Sequence, residues 1–188
     1  MSFTVVYDAC VLYPATLRDL LVELACTGLF DARWTDQIHD EWIGNLLEKR
    51  ADLKPEQLEV TRQNMNRAVR DSIVTGFEAL ISTLELPDPD DAHVLAAAIR
   101  CNAQVIVTFN LRDFPRSILE PFGVEAMHPD DFLIDTISLD PLKVANAIRA
   151  CQRRLRNPPR PMNEHLERLE RQGLIRSVAH LRPYLLEP

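Results

Sequence analysis

Residues 86–114, LPDPDDAHVLAAAIRCNAQVIVTFNLRDF, most constrain what this chain can fold into. The stretch reads as an acidic helix start at Asp88, Asp90 and Asp91, then an alanine-rich helix over 91–101. Asn102 is its expected stop, and a short apolar strand follows over 105–108. A helix turning within a few residues into a strand with no polar face is half of a β–α–β unit. That unit demands a parallel sheet covered by helices on its faces.

The rest of the chain repeats the alternation. Residues 3–7 read as a buried strand, 30–34 as a second strand and 124–127 as a fourth. Leu17, Leu20, Leu21, Leu24 and Ala25 recur at helical spacing before a stop at Gly28. Thr35 is the expected N-cap of a helix carrying Ile38, Trp42, Ile43 and Leu46. Pro55 opens another with Leu58, Met65 and Val69 on one face. Gly76 argues against one continuous helix over 72–86. Beyond residue 135 there is no strand signal. Pro141 starts a helix with Val144, Ile148, Cys151 and Leu155 in a stripe, a Pro-rich break follows over 157–161, and two short helical patterns close the chain. The expected organisation is an α/β body over 1–135 and a helical extension over 136–188.

Composition narrows the setting. The first residues, MSFTVVYDAC, lack a basic region followed by a long apolar run, and no stretch approaches 18 apolar residues. No secretory leader and no membrane span are expected. Cys10, Cys26, Cys101 and Cys151 form no CxxC pair, so they read as reduced thiols of a cytoplasmic protein. The net charge of −7 is uneven. Residues 1–142 hold 11 Lys and Arg against 24 Asp and Glu, a net of −13, whereas residues 143–182 hold 10 against 3, a net of +7. The basic segment is either a solvated helix surface or a contact for phosphate, to which its nine arginines are suited.

Chemistry follows from the sheet. Ligands of open parallel sheets bind beyond the carboxyl ends of the strands. Asp8 directly follows the first strand, Asp113 lies in the loop after the third, and Asp91 starts the helix whose N-terminus faces the same edge. Glu41, six residues after Thr35, is a fourth candidate. Singly, each acid has another reading: a turn residue, a helix cap or a solvated side chain. Together, carboxylates in one cleft repel unless a cation joins them, and hard oxygen donors without Cys or His partners favour Mg²⁺ or Mn²⁺. Asp88 and Asp90 are alternates to Asp91. His93 has no paired His or Cys and reads as surface or partner-facing.

Asp8-Ala-Cys-Val-Leu, Thr35 to Glu41, Asp91-Ala-His-Val-Leu-Ala-Ala-Ala98 and Thr108-Phe-Asn-Leu-Arg-Asp-Phe114 resemble the successive motifs of PIN domains, closest to VapC-like toxins of toxin–antitoxin pairs. The resemblance covers roughly residues 3–130 and implies a three-layer α/β/α fold. It implies an endoribonuclease that uses Mg²⁺ or Mn²⁺ held by Asp8, Asp91 and Asp113, with Glu41 as the fourth acid, and that leaves 5′-phosphate and 3′-hydroxyl ends. An ion so held would activate water for in-line attack on a phosphodiester. Thr108 and Asn110 would steady the loop or the ion's water shell, with a plain turn role for Asn110 equally open. Arg18, Arg112 and Arg116 near the edge, with Arg149, Arg153, Arg154, Arg156 and Arg160 of the tail, would meet RNA backbone. A cognate antitoxin and homodimerisation are implied as well.

The chain departs from the pattern at Cys10, where a small hydroxyl or amide residue is usual, and at Leu95, where the helix motif has Ala. Two other classes remain. A phosphotransfer domain with Asp8 as nucleophile would need a second Asp two residues on, or a Lys beyond a later strand, and no Lys stands between Lys54 and Lys143. A non-catalytic PIN-like binding module would keep the fold while dropping acids, all four of which are present here.

Overall fold

The computed structural model describes residues 3–156 and 158–186. Its centre is a four-stranded parallel sheet of β1 (Thr4–Tyr7), β2 (Asp31–Arg33), β3 (Val105–Val107) and β4 (Glu125–Met127), in the order β2-β1-β3-β4. Val5, Val6 and Tyr7 are fully buried, as are Ile106 and Val107, because helices cover both faces. The layers form the three-layer α/β/α arrangement expected. All four strands lie where the residue pattern puts them, each shorter than expected by one or two residues.

Between β1 and β2 run α1 (Ala9–Leu12) and α2 (Ala15–Ala25). The long connection to β3 carries α3 (Asp36–Lys49), α4 (Pro55–Ala68), α5 (Glu78–Ile81) and α6 (Ala92–Arg100), the last entered through a 3-10 turn at Pro89–Asp91. Thr35 accepts the amide hydrogen of Ile38 and caps α3, and Pro55 occupies the first turn of α4. Within 72–86, Ile73 bridges to Trp34 beside β2 before the short α5. α6 is buried on two sides: Val94, Leu95 and Ala98 belong to the main core with the sheet, while Ala96 and Ala97 pack against Val74 and Phe77 beside α5. Asn102 ends α6 with φ at 52°.

The C-terminal part differs most from expectation. After α7 (Arg116–Leu119) and β4, a helix that the residue pattern did not suggest, α8 (Pro129–Leu139), runs unbroken through the expected 135/136 boundary. Its start is a proline at the first turn with Asp130 and Asp131 behind it, a helix signal masked by the strand pattern just before it. Then come α9 (Pro141–Arg154), α10 (Met162–Arg171) and α11 (Ile175–Leu186). Asn157, the first residue of the expected Pro-rich break, lies outside the described residues.

These helices fold onto the body. α9 packs along α2, and α11 along α8. Phe132 of α8 meets Phe30 and Tyr7 edge-on with ring centroids at 5.0 and 6.3 Å. Asp130, 6% exposed, receives the amide hydrogens of Ser177 (2.9 Å) and Arg176 (3.0 Å) and the Ser177 hydroxyl (2.5 Å), and so caps α11 from another helix. Arg154 pairs with Glu23 of α2 at 2.7 Å, Arg176 with Asp131, and Arg182 with Glu170 at 2.9 Å. Part of the charge asymmetry is thus neutralised within the molecule.

Candidate active site

The order β2-β1-β3-β4 places the topological switch between β1 and β3, where connections leave the sheet in opposite directions and a crevice opens. Tyr7 is in register with Val107, so Asp8 and Thr108 leave the sheet side by side. The Asp8 amide continues the ladder by donating to the Val107 carbonyl at 3.1 Å. Its carboxylate, in a residue 3% exposed, needs donors, and two neighbours supply them. The Thr108 hydroxyl donates to Asp8 Oδ2 at 2.6 Å and the Cys10 thiol donates at 3.0 Å. Thr108 Oγ1 in turn accepts from the Asn110 amide at 2.9 Å, and Cys10 Sγ from the Phe109 amide at 3.2 Å. Burial, then the charge of Asp8, pushes the Cys10 thiol well up, so it stays protonated and able to donate. The cysteine thus fills the hydrogen-bonding place of the residue it replaces.

Asp91 ends the 3-10 turn that leads into α6. Its Oδ2 is buried and lacks a hydrogen-bond partner. Burial first, then the negative charges of Asp8, Asp88 and Asp113, raise its carboxyl to about 7, with His93 opposing. Acids from three separate segments therefore share one electrostatic neighbourhood. Of the alternates, Asp88 spends Oδ1 on the Asp90 amide at 3.0 Å as cap of the 3-10 turn, and Asp90 is exposed. Asp113 is half-buried in a turn closed by its amide on the Asn110 carbonyl at 3.0 Å.

Among the described residues, no three acidic, histidine or cysteine side chains converge closely enough to form a finished coordination cage. The donor set still fits a hard divalent cation. It is all oxygen, it carries excess negative charge, and one buried carboxylate oxygen is left without a partner.

Glu41 projects from α3 with its side chain 35% exposed, and its Oε1 lies 2.7 Å from His93 Nε2. The neighbouring turn of α3 is anchored by buried polar groups. Trp42 Nε1 donates to His39 Nδ1 at 3.0 Å, and Asn66 Oδ1 receives Trp34 Nε1 at 2.8 Å and His39 Nε2 at 2.9 Å. His39 is thereby held as the neutral Nε2–H tautomer, in line with the lowering of its pKa by burial.

Two expectations are corrected. His93 is not on the surface: it is 2% exposed beneath Glu41, because the second residue of α6 faces the body. Arg18 is not exposed at the sheet edge. It is 6% exposed, donates to the Leu12 carbonyl at 2.8 Å and stacks 4.5 Å over Trp42, since residue 18 falls on the inner face of α2. Arg112, Arg116 and Asn110 are exposed on the loop and helix after β3. The Asn110 backbone amide supports Thr108, and the residue is exposed. Phe109 packs edge-on against His128 at 5.2 Å, and Gly173, between α10 and α11, approaches both rings. That link joins the tail to the loop after β3 and carried no sequence signal, since it depends on tertiary approach alone. A groove of about 560 Å³ lies between β4 and α7, lined by Val105, Phe114, Leu119 and Val124 and by none of the four acids.

A parallel α/β sheet with acids gathered at its switch point defines a class of carboxylate-site domains. Comparison with known families gives the particular one. A PIN domain family profile matches residues 4–112, more than half of the chain, and the chain belongs to the PIN domain family. A second profile, described as the VapC50 C-terminal domain, matches residues 129–183, from the start of α8 onward. A segment of 49 residues is 57% identical to the Mycobacterium tuberculosis protein named "Putative ribonuclease VapC50". That match covers 26% of this chain and 29% of the relative. No solved structure matches the chain.

Proposed function

We propose that this protein is a VapC-type endoribonuclease that binds Mg²⁺ or Mn²⁺ through Asp8, Asp91 and Asp113, with Glu41 beside them, and cleaves RNA phosphodiester bonds. The observation that carries the reading is the partnerless, buried Oδ2 of Asp91, whose carboxyl is raised first by burial and then by Asp8, Asp88 and Asp113. Carboxylates that repel one another at a sheet's switch point suit a cation better than any neutral ligand.

When bound, the ion supplies Lewis-acid stabilisation of charge developing on the phosphoryl oxygens. The protein supplies the rest. Thr108 and Cys10 fix the Asp8 carboxylate by donating to one oxygen, which leaves Oδ1 for the ligand. The 3-10 turn sets Asp91 at the mouth of α6. Glu41, more open to solvent than Asp8, suits completing the ion's coordination, directly or through a water that it orients. Arg112 and Arg116 offer the exposed positive charge beside this edge that an RNA backbone requires.

The toxin role belongs to the same reading. Membership of the PIN family and the match to a VapC50 C-terminal domain support a cognate antitoxin as partner, a cytoplasmic setting and pairing of two chains. No helix among the described residues is long and apolar enough to cross a membrane. The alternative of a non-catalytic binding module sits less well with the retention of all four acids.

Cleavage of a labelled RNA with Mg²⁺ or Mn²⁺, against EDTA, tests the proposal with Asp8→Asn and Asp91→Asn. Both variants should lose cleavage by two orders of magnitude or more, and calorimetry should show weakened Mn²⁺ binding. Full activity in either variant, or in EDTA, overturns it.

A further inference from the structure

We infer that His93 is a positioning residue that sets where the Glu41 carboxylate stands. The inference rests on Glu41 being an acid of the proposed site. His93 Nε2 is 2.7 Å from Glu41 Oε1, and the residue is 2% exposed. The two groups are within ion-pair distance, yet neither ring nitrogen has a hydrogen-bond partner of good geometry. A buried imidazole with no other partner is a cost to folding, and an apolar side chain would fill the same space without it. What the ring does at that cost is meet Glu41.

Its place in the fold explains why that matters. His93 lies two residues after Asp91, in the first turn of α6, and α6 is fixed between the strands β1 and β3 on one side and α5 on the other. Glu41 belongs to α3, which does not pack extensively on α6. The Glu41–His93 contact therefore bridges two elements that each carry one acid of the site. It ties Glu41 to the helix that starts at Asp91 and engages Oε1, which leaves Oε2 unengaged by the ring. A carboxylate on a mobile side chain more than a third exposed would otherwise sample several rotamers.

The test is a double-mutant cycle on the full-length protein read by Mn²⁺ affinity in calorimetry, with Mn²⁺ alone as probe. His93→Ala should weaken Mn²⁺ binding about tenfold, the lower end of effects seen when a group supporting a ligand is removed. The same change in a Glu41→Gln background should leave affinity unaltered, because His93 acts through Glu41. His93→Asn, whose amide can still donate to a carboxylate, should recover part of the affinity while melting at the same temperature as His93→Ala. With RNA, His93→Ala should lower kcat while KM stays within twofold. Equal weakening of affinity in both backgrounds overturns the inference, since the ring would then contact the ion itself or act only on folding. Unchanged affinity in His93→Ala and His93→Asn also overturns it. Failure of the nuclease reading is separate: it appears as full cleavage and Mn²⁺ binding in Asp8→Asn.

Discussion

Thr108 Oγ1 stands 2.6 Å from Asp8 Oδ2, joining residues 100 positions apart across the crevice between β1 and β3. Both side chains are buried, so the hydroxyl offsets much of the cost of desolvating the acid. Thr108→Val keeps the shape and removes the donor. A destabilisation of about 1–3 kcal/mol in urea unfolding is expected, the usual cost of leaving a buried charged acceptor short of a partner. Thr108→Ser should retain most of the stability, and equal melting of the valine variant and wild type would sink the role given to the hydroxyl.

Asp91 makes the stability of the metal-free protein depend on pH in a stated direction. Its folded carboxyl is raised to about 7, first by burial and then by Asp8, Asp88 and Asp113. The unfolded carboxyl titrates near 4. Between these values the folded state holds a proton that the unfolded state has released, so stability falls as pH rises from about 4 to 7. Asp91→Asn cannot lose that proton. In EDTA the variant should gain stability over wild type, more at pH 7 than at pH 5. A gap that narrows as pH rises would show that Asp91 is not the group strained by its neighbours.

Much of this was legible in the sequence because it rests on local rules. β1 and β3 followed from β-branched runs, α3 from the Thr35 cap, and the end of α6 from Asn102. The expectation that Asp8, Asp91 and Asp113 share one edge followed from sheet topology, which puts strand ends and helix starts together, and the charges of Asp8 and Asp113 do act on Asp91. What escaped needed distances. The inward turns of His93 and Arg18 are set by the rotation of α6 and α2 on the sheet, which single charged residues in a sequence do not report. The compensation of Cys10 needed its thiol placed against Asp8 and the Phe109 amide. Helix α8 was readable at Pro129, Asp130 and Asp131, but the short strand before it drew the boundary into its middle.

Asp130 is the fastening of the C-terminal helices. It caps α11 with both carboxylate oxygens, and neither Leu174 nor Ile175 can do so in its place. Asp130→Ala leaves the Arg176 and Ser177 amides unpaired and should cost about 2 kcal/mol, in line with removal of a charged cap. Limited proteolysis should then cut the 172–186 region faster than in wild type. Unchanged protection would mean that apolar packing of Val178, Leu181 and Leu185 alone holds the helix.

The acidic body must still admit a polyanion, and the structure divides the arginines into two groups for that purpose. Arg154, Arg176 and Arg182 are paired with acids, so reversing them breaks ion pairs as well as altering the field. Arg112 lies beside Asp113 and is exposed, and Arg171 is exposed next to the α10–α11 turn, which touches Phe109 through Gly173. Arg112→Glu with Arg171→Glu should therefore weaken RNA binding without lowering the melting temperature. The slope of log affinity against log salt should flatten by about one for each phosphate that is no longer neutralised. Arg153→Glu with Arg156→Glu, a reversal of the same charge at the far end of α9, serves as the comparison. If both pairs weaken binding equally, RNA responds to overall charge, and the edge beside Asp113 has no special part in holding it.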